Sequence, residues 1–194
     1  YQQAFGVKAM VERVRGQNSR GARKGGVIWH TTGSGKSYTM VFLTKALLML
    51  PELKDCRVIV VTDRIDLEKQ LSKFFMNAGA FGSEIATKKE GGRSKVRSGR
   101  DLAERISRGT DRILFTIIDK FHTAAHLKEC HNDSDKLIVL VDEGHRGHGG
   151  EAHERMRRAL PNAAFIGFTG TPLLKKDKTQ RKFGPIIHSY PMQR

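Results

Sequence analysis

Apolar residues in this chain come in short unbroken runs, separated by stretches with helical spacing or with none. Residues 57–61 read RVIVV and residues 136–141 read KLIVLV. Continuous β-branched runs of this kind predict strands covered on both faces, because a half-exposed strand would alternate polar and apolar positions. Residues 27–29, 112–118 and 163–168 carry the same signal. Between them, residues 36–50 place apolar side chains at helical spacing and stop at Pro51. Residues 66–76 do so again, with Leu67, Leu71, Phe74 and Phe75 on one side. Buried strands alternating with helices predict βαβ units, hence an α/β fold with a mainly parallel sheet and helices on both faces.

Two segments depart from this rhythm. Residues 87–100 (TKKEGGRSKVRSGR) are basic, rich in Gly and Ser and poor in apolar side chains, which predicts a surface loop. Such a loop either lies against a phosphate backbone or is a solvated insertion. Residues 175–182 are similarly polar. No internal repeat is present.

Length and composition narrow the picture. At 194 residues the chain can bury one sizeable core and is expected to form a single domain spanning 1–194. No apolar run is long enough to cross a bilayer as a helix, so no membrane partner is expected. The first residues, Tyr1-Gln2-Gln3, lack an export signal, and the chain opens inside a helical pattern without Met, as a fragment would. Its two cysteines, Cys56 and Cys130, show no paired-ligand spacing, which suits a reduced, cytoplasmic setting. Thirty-five Lys and Arg against twenty Asp and Glu leave a net charge of +15. That balance favours polyanionic partners such as nucleic acid. The alternative reading is a solvated basic surface.

Candidate chemistry sits at the ends of the predicted strands. His30-Thr31-Thr32-Gly33-Ser34-Gly35-Lys36-Ser37 joins a strand to a helix. Glycines let backbone N–H groups converge on phosphate oxygens, and the following helix presents its positive end to the same place. Lys36 would reach the β- and γ-phosphates, and the Ser37 hydroxyl would ligate Mg²⁺. The usual pattern opens with Gly, where this chain has His30. Asp142 and Glu143 follow the apolar run ending at Val141, at the edge where open α/β sheets bind ligands. Two adjacent carboxylates can divide the work there: Asp142 holds the metal while Glu143 orients and deprotonates the attacking water. His145, two residues on, would link the nucleotide to another motif.

These residues, with Thr169-Gly170-Thr171-Pro172 after a strand, resemble motifs I, II and III of superfamily 2 helicases and translocases. Trp29-His30, Thr62-Asp63-Arg64 with Asp66, Leu67 and Gln70, Asp119-Lys120-Phe121, and Phe183-Gly184 with Tyr190 are similar to the motor subunit of type I restriction-modification enzymes. The resemblance spans nearly the whole chain. It implies a P-loop NTPase fold, the first RecA-like domain of a motor, with ATP and Mg²⁺ as ligands. It also implies double-stranded DNA and the modification and specificity subunits as partners.

By the same resemblance Gln2, or else Gln3, reads adenine, and Thr32, Gly33, Ser34 and Gly35 complete the phosphate cradle. Thr169 and Thr171 couple the γ-phosphate to the DNA grip, and Thr62, Arg64, Thr116 and Lys120 touch the DNA backbone. The chain departs from the type I pattern at Thr32, where Gln is expected, and at Gly144, where Ala is commoner. Neither change removes a phosphate or metal ligand. The family's upstream nuclease domain and second RecA-like domain are not in this sequence, so weak ATP binding and slow turnover are expected of it alone.

Three other features carry less. His122 and His126 have the i, i+4 spacing of a zinc pair, with Cys130 and His131 nearby, but they read better as polar residues on a helix and its end. His148 and His153 read as parts of a solvated loop. Trp29 reads as core rather than as a base-stacking platform. The rival functions are a DEAH-like RNA helicase and a catalytically silent nucleic-acid-binding scaffold.

Overall fold

A computed structural model describes residues 2–31, 35–63, 65–77, 96–109, 111–142, 149–170 and 183–190, the side chains of Gln2, Gln3 and Tyr190 excepted. Its centre is a six-stranded sheet of β1 (Gly26–His30), β2 (Arg57–Thr62), β3 (Ile113–Ile117), β4 (Leu137–Asp142), β5 (Ala164–Thr169) and β6 (Ile186–Tyr190). The strand order is β3-β2-β4-β5-β1-β6, and every recorded pairing is parallel. The helices are α1 (Gln2–Arg15), α2 (Lys36–Met49), α3 (Ile65–Asn77), α4 (Gly99–Arg108), α5 (Ile118–Ala124) and α6 (Gly149–Ala159).

Alternate strand residues feed two cores, as the period of two in a strand requires. On one face Ile28, Val58, Val60, Ile138, Leu140, Ile166 and Phe168 pack under α1, α2 and α3. On the other, Ile59, Val61, Val139, Val141 and Phe165 pack under α4, α5 and α6. The unbroken apolar runs of β2 and β4 thus have their cause: both faces are covered. The predicted α/β sheet with helices on both faces is the observed one.

The polar segments needed correction. Residues 99 and 100, placed by composition in a loop, begin α4. Ser98 is its N-cap: the Ser98 Oγ accepts from the Asp101 N–H at 3.1 Å, and Asp101 accepts from the Arg97 N–H at 2.7 Å. His153, read as part of a solvated loop, lies in α6 and is only 4% exposed, its ring against Phe165 and Phe183. Most of α6 is charged and its buried stripe is narrow, so mean polarity hid the helix. Strand β6 was not anticipated either; it is an edge strand carrying His188 and Ser189 amid its apolar residues.

Arginines close the N-terminal edge of the sheet. Arg57, at the start of β2, donates to the carbonyls of Arg105 (2.6 Å), Ile106 (3.2 Å) and Asp111 (2.8 Å), capping the C-terminal turn of α4. Burial lowers its pKa from the usual arginine value, partly offset by Asp111. Arg13 donates to the Gly25 carbonyl at 2.5 Å, and Arg23 to the carbonyls of Asp135 (2.6 Å) and Val14 (3.2 Å). Arg112 donates to the Cys56 and Leu48 carbonyls. Part of the basic composition is therefore committed inside the fold.

Candidate nucleotide site

Sheet topology puts the chemistry at the opposite edge. β5 lies between β1 and β4, so the loop after β1 and the end of β4 are separated by one strand. Thr169, the last residue of that strand, pairs with Trp29 and is nearly buried. Lys36 opens α2 and reaches across: its Nζ is 2.7 Å from Asp142 Oδ1, with side chains 19% and 5% exposed. The lysine and the acidic strand end meet at one edge of the sheet.

The start of α2 is prepared for an anion. Gly35 caps it at φ 83, ψ 32, a left-handed conformation that glycine adopts without a Cβ clash. No side chain caps the helix and no acid stands in its first turn. The Thr39 N–H donates to the Gly35 carbonyl at 3.0 Å, while the earlier amides of the turn sit at the positive end of the helix. Ser37 follows Lys36 in that turn. His30, where the usual pattern has Gly, ends β1 wholly buried.

These groups fit Mg²⁺ with a polyphosphate. Magnesium is commonly held by one or two protein oxygens and completes its shell with phosphate and water, so Ser37 and Asp142 suffice. Among the described residues, no group of three or more His, Cys, Asp or Glu is arranged for an all-protein metal cage. At His122 and His126, where zinc spacing was noted, Arg155 Nη1 sits 2.5 Å and 2.7 Å from the two Nε2 atoms. Cys130 is buried, and its thiol pKa is pushed up to about 11 by burial alone.

The remaining site residues divide three ways. Thr32, Gly33, Ser34, Arg64, Glu143, His145 and Thr171 lie outside the described residues. Gln2 begins α1, whose last residue, Arg15, pairs with Glu52 just beyond the end of α2.

Among the expected DNA contacts, Thr62 and Thr116 are buried, at 1% and 0% exposed. Lys120 is turned inward: its ammonium donates to the Val96 carbonyl at 2.6 Å and stands 3.7 Å from the buried Glu68 carboxylate. Sequence reasoning missed Glu68, because a buried acid in the first turn of α3 looks like any N-terminal helix carboxylate.

Strand order, the glycine-capped helix and the Lys36–Asp142 pair together define a helicase-like P-loop α/β domain. A family model described as SWI2/SNF2 ATPase matches residues 2–194, and the chain belongs to that family. It is 37% identical over 211 positions to the type I restriction enzyme HindI endonuclease subunit of Haemophilus influenzae, covering 100% of this chain and 19% of that protein. It is 28% identical over 198 positions to the type I restriction enzyme SauMSSORF170P endonuclease subunit of Staphylococcus aureus, covering 97% of this chain and 19% of the relative. The chain therefore spans about a fifth of the length of these curated relatives. Its fold is similar to the UvsW helicase from bacteriophage T4, with a TM-score of 0.62 and 14% identity over 95% of this chain and 59% of that one. The resemblance read from the motifs and the similarity over the whole chain agree. Among the described residues, no helix is long and apolar enough to cross a membrane.

Proposed function

We propose that this chain is the first RecA-like half of a type I restriction enzyme motor, hydrolysing Mg-ATP in the cytoplasm to translocate double-stranded DNA. The observation that carries this reading is the 2.7 Å Lys36–Asp142 pair at the start of α2. A phosphate-binding cation and a metal-binding carboxylate gathered at one sheet edge are the minimum an NTPase needs. The endonuclease-subunit names of the relatives support the restriction setting.

In the structure ammonium and carboxylate neutralise each other. A magnesium triphosphate offers each a replacement of the same kind, phosphate oxygens for Lys36 and a divalent cation for Asp142. Mg²⁺, when bound, would supply compact positive charge to the phosphates. Lys36 and the amides of the Gly33–Gly35 loop hold those oxygens, Ser37 and Asp142 hold the cation, and Gln2 reads the base. Glu143, next to Asp142 in the chain, orients the attacking water and accepts its proton. His145, Thr169 and Thr171 convey the state of the γ-phosphate to the DNA grip. Arg64 and Lys120 touch the DNA backbone, Lys120 after release from Val96 and Glu68. A second RecA-like domain completes the cleft with an arginine, and the modification and specificity subunits supply the target.

The test is ATP turnover by the complete protein with duplex DNA and with RNA. Duplex DNA is expected to stimulate, and Glu143→Gln to lower the stimulated rate by about 10²–10⁴. Stimulation by RNA alone would favour an RNA helicase, and full turnover by Glu143→Gln would favour a silent scaffold.

A further inference from the structure

Helix α5 follows β3 and carries Lys120; helix α6 follows the segment that begins at Asp142. The two helices pack together, with Phe121, Ala124, Met156 and Ala159 in one apolar cluster. A polar clasp joins them as well. Arg155, on α6, places Nη1 2.5 Å from the Nε2 of His122 and 2.7 Å from the Nε2 of His126, while its Nη2 pairs with Glu151 one turn earlier.

Guanidinium has donors only, and Nη1 carries two hydrogens. Each imidazole must therefore accept through its Nε2 lone pair. Both rings are then neutral and carry their proton on Nδ1. One nitrogen with two hydrogens serves two acceptors, His122 within α5 and His126 in the turn after it, so the clasp ties α6 to the C-terminal end of α5. Its position is that of a link. One end lies on the helix that leaves the nucleotide-facing strand, and the other on the helix that bears a DNA-contact lysine.

We propose that Arg155 is a positioning residue, coupling the nucleotide site to α5 through His122 and His126. The inference rests on the ATPase reading of the Lys36–Asp142 pocket. Because the apolar contacts between the helices do not involve Arg155, its removal leaves the fold standing and loosens only their relative placement. The clasp is partly open to solvent, the Arg155 side chain being 26% exposed, so it can break and reform as the helices shift.

The experiment compares ATP turnover of the complete protein with and without duplex DNA. Arg155→Ala is expected to lower the DNA-stimulated kcat at least about fivefold, the low end of ordinary coupling energies. KM for ATP and the DNA-free rate are expected to stay unchanged. His122→Gln, whose amide oxygen accepts the same N–H, retains the stimulation, whereas His122→Lys loses it. Adding Arg155→Ala to His122→Lys brings no further loss, because both act through one contact. Equal loss of stimulated and unstimulated rates would mean a merely structural arginine and overturn the proposal, as would no change in either. Lys36→Ala is the control on the underlying reading: if turnover survives it, the ATPase site is misplaced and the coupling claim goes with it. Imidazole ¹⁵N shifts separate the two failures, since a proton on Nε2 of either histidine contradicts the clasp itself.

Discussion

The two edges of the sheet are built on opposite principles. At the N-terminal edge, Arg13, Arg23, Arg57 and Arg112 turn their guanidinium groups inward onto carbonyls of neighbouring elements. Each bond there joins a charge to a fixed backbone oxygen, which strengthens the fold and leaves little for a ligand. At the C-terminal edge the charged groups face one another instead. Lys36 meets Asp142, a pair between side chains that another partner can replace, while Lys120 stands near Glu68 and also donates to the Val96 carbonyl. Carbonyls cannot leave; carboxylates can be exchanged for phosphate. Part of the basic composition thus holds the fold, and part meets carboxylates at the other edge.

The largest effect that would sharpen this contrast comes from Lys36→Met. Losing the phosphate cation is expected to cut ATP turnover by about 10² or more, as loss of one transition-state donor does elsewhere. It also removes the Lys36 partner of the Asp142 carboxylate, 5% exposed, at a stability cost of about 3 kcal/mol. Adding Asp142→Asn should return most of that stability, read by denaturant midpoint, and none of the turnover. Stability that stays lost in the double variant would break the distinction.

Arg57→Met is the matching change at the other edge. Removing charge-assisted bonds to three carbonyls is expected to cost about 3 kcal/mol. No single second substitution should restore it, because its partners are backbone. Turnover per folded molecule should be unaltered.

The smallest effect concerns the thiols. Burial raises the Cys56 pKa above its ordinary value and takes Cys130 to about 11. Few thiolates then exist at neutral pH, so neither cysteine should react with iodoacetamide in the folded chain. Above pH 9 the unfolded thiols lose protons first, so the unfolded state binds fewer protons than the native one. Stability should therefore fall as pH rises from 9 toward 11. Rapid labelling at pH 8 would contradict the burial of these groups.

What could be read from the sequence follows the same division. Strands β2 and β4 were legible because an apolar run without alternation has one use in a parallel sheet. The phosphate loop was legible because glycines, lysine and serine occur together between a strand and a helix for few other reasons. Helices α4 and α6 were obscured by charge on their outer faces, although Ser98 with Asp101 is a readable cap. The burial of Thr62 and Thr116 was not legible, since a threonine near a strand end serves equally as a surface donor or as a buried β-former. Strand order was not legible at all. Only the coordinates place β5 between β1 and β4, and that placement brings Lys36 to Asp142.

The most direct measurement is ATP affinity of the complete protein by titration calorimetry, with and without Mg²⁺, for the natural sequence and for Asp142→Asn. The account predicts that magnesium tightens ATP binding in the natural protein and that Asp142→Asn removes this gain. Equal tightening by magnesium in both would show that the metal sits elsewhere and contradict the assigned pocket.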